Sequence, residues 1–157
     1  MVAAAVTLSV LGLLHWGGDS KVDHLRAGGW GVEVKQDRFT GAKHCQAKYH
    51  GVVLDGAVAT FRFWNWTDTA NAVFRVDGGP LTTAGSVAIE AAGLGADFQT
   101  KNFDNPSNGE VHIPYRLLAS AKEVDIKPNG KAGHRAFRVD GIAQAAQAMQ
   151  SRGCVVG

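Results

Sequence analysis

The feature that most constrains this chain is the placing of its only two cysteines. Cys45 falls in the first third and Cys154 sits three residues from the end, 109 positions away. They form no C-x-x-C pair, and two thiolates are too few for a Cys-only structural zinc site. Two readings are open, a bridge between the ends of a domain or two unrelated buried thiols. A bridge closing a loop of this length is worth roughly 4.7 kcal/mol in the chain-entropy model. It persists only in an oxidising compartment. The bridge is the expectation taken forward.

The N-terminus points to the same compartment. Val2 to Leu14 is an apolar run broken only by Thr7, Ser9 and Gly12. It falls short of the roughly 20 residues that span a bilayer and suits the apolar core of a secretory signal. No Lys or Arg precedes it and no small-x-small cleavage site follows, so a buried N-terminal element is the competing reading. The expected organisation is a signal peptide or short membrane anchor over 1–17, a linker over 18–29, and a single β-rich domain over 30–157. The protein is then periplasmic or secreted, with a possible membrane tether through its N-terminal segment.

With 157 residues, 45% of them hydrophobic, the chain can build one ordinary core. Its twenty glycines suit short strands joined by tight turns. The stretch from Trp30 to Lys35 alternates apolar and polar residues, as a half-buried strand does. Asp37 to Gly41 reads as a turn, and Lys43 to Tyr49 as the next strand. Val52 to Leu54 runs into Asp55-Gly56, a hairpin signal. Ala57 to Trp66 extends it with Phe61 and Phe63 on one face and Trp64 and Trp66 on the other, as in the central strand of a sandwich.

Further short strands are expected at 72–77, 86–92, 124–127 and 136–139, with a short helix after Pro114 and a loop over 104–109. The clearest helix is the last. Ile142, Ala145, Ala146 and Met149 recur with helical period, Asp140 can cap the start and Gly153 the end. The expected fold is mainly β, an antiparallel β-sandwich with a C-terminal α-helix packed on it and one intradomain disulfide.

The order of these features resembles a known group. Trp30, the D-x-F-T-G turn from Asp37 and Cys45 are followed by F-R-V-D-G-G (Phe74 to Gly79), then Ile113-Pro114 with Leu118 and Ala121. F-R-V-D-G-I (Phe137 to Ile142), an alanine-rich helix and Gly153-Cys154 close the chain. This is similar to small exported β-sandwich proteins of Gram-negative bacteria, of the invasion-associated locus B type and the accessory periplasmic proteins of type VI secretion. The resemblance implies an envelope-associated, non-enzymatic domain and carries over no catalytic residue.

Candidate sites are few. A net charge of +2 with scattered cations gives no field for nucleic acid, and none is expected as a partner. G-x-S-x-G, H-E-x-x-H, the P-loop and the dinucleotide fingerprint are absent from the sequence. His44 and Cys45 point to opposite faces of a strand, which argues against a thiol nucleophile. No catalytic residue, metal or cofactor is therefore assigned. The binding candidates are Trp64 and Trp66, with Arg62 as a cation–π partner and Arg75 beside them. The expected function is recognition of a protein or cell-envelope component. The alternative, from a different class, is a small hydrolase or metal-dependent enzyme using His44, His50 and His112.

Overall fold

A computed structural model describes residues 20–84, 109–129 and 133–157. Among these described residues ten strands make two antiparallel sheets. The first holds β1 (Ser20–Ala27), β2 (Trp30–Asp37), β3 (Lys43–Tyr49), β4 (Val52–Asp55), β5 (Val58–Arg62) and β8 (Glu110–Pro114), in the order β1-β2-β3-β4-β5-β8. The second holds β6 (Val73–Val76), β7 (Thr82–Thr83), β9 (Glu123–Lys127) and β10 (Arg135–Arg138), in the order β10-β9-β6-β7. The α-helix α1 (Ile142–Ser151) lies on the end of the first sheet formed by β1, β2 and β3, and a single 3-10 turn, Tyr115–Leu117, follows Pro114. Among the described residues no helix is long and apolar enough to cross a membrane.

Register explains the core. Leu25 faces Val32, Val32 faces Ala47, Ala47 faces Leu54, Leu54 faces Ala59 and Ala59 faces Ile113. A parallel row joins Tyr49, Val52, Phe61 and Val111. With a side-chain period of two, these rows share one face, and a one-residue slip would turn them out to water. Phe74, Val124, Ile126 and Phe137 of the second sheet, and the helix, complete a single hydrophobic cluster.

The turns fix that register. Ala27 pairs with Trp30 across Gly28-Gly29, and Tyr49 with Val52 across His50-Gly51. All four loop residues have positive φ, as type I′ hairpin turns require. The hairpin signalled by Asp55-Gly56 forms one residue later than the dipeptide, with Gly56-Ala57 as the loop. Asp77 also has positive φ, and its carboxylate accepts from the amides of Lys122 and Glu123, which ties β6 to the approach to β9.

The helix buries the four residues its periodicity named: Ile142, Ala145, Ala146 and Met149. The amide of Gly153 donates to the Gln150 carbonyl and that of Cys154 to the Met149 carbonyl, a Schellman ending. Cys154 is bonded to Cys45 on β3, with Cα atoms 6.2 Å apart. Lys43 donates to the Arg152 carbonyl and Arg152 pairs with Asp23 of β1 beside the bridge.

Three expectations change. Residues 20–27, read as part of a linker, are β1, and it pairs along its whole length with β2. Asp140 does not cap the helix; its carboxylate holds the Arg138 guanidinium at 3.0 Å, and Gly141 takes the cap position at φ +84°. The strand read over 57–66 ends at Arg62. The N-terminal apolar run, His15, the element read over 86–92 and most of the loop over 104–109 lie outside the described residues.

Gly141 explains how the helix start is held. It packs against Gly28 of the β1–β2 turn so closely that a Cβ on Gly28 would lie 2.6 Å from the Gly141 oxygen and 2.8 Å from its Cα. Beside this contact the buried Trp30 indole donates to the Asp140 carbonyl at 3.0 Å and stacks on Tyr49.

Candidate functional site

The β5 ladder carries Ala59 and Phe61 inward and Thr60 and Arg62 outward. Just past its end, the Phe63 amide donates to the Gly109 carbonyl at 2.7 Å. Both Phe61 and Phe63 meet the Phe137 ring edge-on, with centroids 5.3 Å apart. At the next residue the Trp64 carbonyl packs on Gly109, where an added Cβ would come within 2.7 Å of its carbon. The chain then turns, and the Thr67 amide closes the turn on the Trp64 oxygen at 2.8 Å.

This turn places Trp64 and Trp66 side by side. Their rings are parallel within 5° and their centroids lie 5.2 Å apart. The residues remain 71% and 74% exposed. Two large indoles sharing one face each and showing the rest to water is an uncommon arrangement for a surface. The turn is braced on its far side. Asp68 accepts from the Ala70 amide and the Asn129 side chain, and its carbonyl accepts from the Asn129 amide. A rigid base of this kind lowers the ordering cost of a contact made by the stack.

Charges line the same end of β5. The Arg62 guanidinium lies 3.5 Å from Glu110, whose other oxygen lies 3.4 Å from His112 Nε2. Arg135 donates to the Arg62 carbonyl and covers the Phe137 ring at 4.5 Å. The cation–π contact expected of Arg62 is thus made by Arg135, on a buried ring, while Arg62 is paired with Glu110.

Arg75 is not part of this surface. It lies on the second sheet, where both guanidinium contacts go to one Asp125 oxygen and His134 Nδ1 reaches the other at 2.7 Å. The His134 hydrogen bond, and after it Arg75, holds the Asp125 carboxyl below the usual carboxylate range. The trio borders a hollow of about 250 Å³ with Val73, Leu81 and Lys127. No hydroxyl or thiol lines that hollow.

The three histidines weighed for an enzyme stand apart. His44 faces outward on β3, 3.6 Å from Asp55. His50 sits in the β3–β4 turn with its ring edge-on to Tyr49. His112 lies on β8 beside Glu110. Among the described residues no three His, Cys, Asp or Glu side chains gather as metal ligands would. Comparison with family models, curated proteins and solved structures finds no match to this chain.

Proposed function

We propose that this chain is an exported, envelope-associated recognition domain with no chemistry of its own, binding a protein or cell-envelope component through the Trp64–Trp66 stack. One observation carries the reading: two stacked indoles, mostly exposed, held on a turn braced from both sides. Tryptophan dominates the energetics of recognition surfaces because it offers large rigid area with few rotors. Arg62 and Glu110 supply a polar margin at the foot of the turn. The Cys45–Cys154 bond supports an oxidising compartment. The order of motifs resembling the invasion-associated locus B type supports the envelope.

Affinity capture from the native envelope tests this, with wild type and Trp66→Ala as baits. Trp66→Ala is expected to recover a specific partner at least about tenfold less well, the loss of one anchoring indole, while melting with wild type. Equal recovery of every captured component by both baits would sink the reading.

A further inference from the structure

The end of the sandwich opposite the tryptophan stack gathers a different set of residues. β1 begins there, with Ser20 paired to Asp37. The β2–β3 turn, the β4–β5 turn and the C-terminal tail meet around a hollow of about 390 Å³ lined by Gly41, Asp55 and Val155 and floored by the disulfide. Phe39 projects from the first of these turns and is 92% exposed. Nothing about that exposure comes from a loose loop. Asp37 accepts from the Phe39 and Thr40 amides at 2.8 and 2.7 Å, and the Gly41 amide closes on the Asp37 carbonyl. Val155, 88% exposed, is held outward between the bridged Cys154 and the buried Val156, whose carbonyl accepts from Gln150.

The cations of this end outnumber its carboxylates: Lys21, Arg38, Lys43, Arg116 and Arg152 stand with Asp23, Asp37 and Asp55. Lys21, Arg38, Lys43 and Arg116 are exposed here. Of the carboxylates, Asp23 is paired with Arg152, Asp37 accepts from the amides of its own turn, and Asp55 accepts from Gln46 with His44 3.6 Å away. The apolar run Val2 to Leu14 joins β1 at this same end through five residues, a tether of at most about 18 Å.

We infer that this end is a membrane-docking surface, which seats Phe39 and Val155 in the interface of an anionic bilayer while Lys21, Arg38 and Arg116 meet its headgroups. Apolar side chains on rigid turns, ringed by cations, are what interfacial binding uses. A single short apolar segment gives only marginal anchoring, and a second contact of this kind makes it stable. The inference goes beyond the Trp64–Trp66 reading and does not depend on it. It does place that stack at the far end of the strands, facing away from the bilayer.

Site-specific photocrosslinking of the full chain tests it. p-Benzoylphenylalanine is incorporated at position 39, 155 or 64, and the protein is reconstituted with vesicles of phosphatidylethanolamine and phosphatidylglycerol. Mass analysis should find lipid adducts at 39 and 155 at least about tenfold above those at 64, since only the first two enter the interface. Lys21→Glu with Arg38→Glu should lower the adduct at 39 by about tenfold or more in the same vesicles. The inference is overturned if 39 and 64 give equal lipid adducts or none. It is also overturned if position 39 crosslinks instead to a second copy of the chain or to residues 1–19 of its own.

Discussion

Replacing Gly141 by alanine probes the closest approach in the fold. The new methyl would overlap the Gly28 carbonyl oxygen and lie 2.8 Å from its carbon, where ordinary contact begins at 3.4 Å. Both obstacles are backbone, so the start of α1 must back away from the β1–β2 turn. That retreat stretches the Trp30–Asp140 hydrogen bond and strands a buried indole N–H, at about 1–3 kcal/mol. The left-handed backbone adds about 1–2 kcal/mol for any L residue. The expected loss is about 2–5 kcal/mol, or roughly 10 °C in Tm for a domain of this size. Gly78→Ala is the control. It has φ +72° and nothing within 4 Å of an added Cβ, so it carries only the backbone cost of about 1–2 kcal/mol. Equilibrium urea unfolding followed by tryptophan fluorescence measures both. If Gly141→Ala costs no more than Gly78→Ala, the turn and the helix are not in contact and the account of how α1 is held fails.

Two further outcomes follow from the same interactions. Cys45→Ala with Cys154→Ala should lose up to about 4.7 kcal/mol by the chain-entropy model, read from the urea midpoint, and a mass scan of native protein should show a two-proton gain only with reductant. Asp125, whose carboxyl is held low by His134 and Arg75, contributes stability at neutral pH that is lost as pH falls through its folded value, below the unfolded value near about 3.9. Melting profiles against pH should therefore fall on the acid side, and Asp125→Asn should flatten that fall; an unchanged acid limb would show that the trio contributes nothing.

Much of the fold could be read locally. β2 and β3 announce themselves because period-two alternation and turn residues agree, β4 because a short apolar run meets a turn dipeptide, and α1 because its four apolar positions share one stripe. β1 is hard to read from sequence because it is an edge strand. Val22 and Leu25 fall on opposite faces, and only every second residue from Asp23 is half-buried, so its sequence reads as polar linker. The candidate site was half visible. Trp64 and Trp66 stand out by composition, yet the turn that carries them packs on Gly109 of a distant segment, whose missing Cβ leaves room for the Trp64 carbonyl. Arg75 lies next to the same motifs in sequence, and its partner Asp125 is 50 residues away. Asp140 looked like a helix cap until Arg138, two residues earlier, competed for its carboxylate.

The order of strands in the larger sheet also bears on how the chain acquires its shape. β1 to β5 are consecutive neighbours joined mostly by two-residue loops. Their pairings are short-range in sequence, the kind that form early and without long loop closure. During synthesis this meander is complete long before the C-terminal helix exists, and Cys45 waits within it as a free thiol. Within this sequence Cys154 is the one other cysteine it can meet. Joining a second copy is then one wrong outcome to look for, and covalent dimers would be its signature.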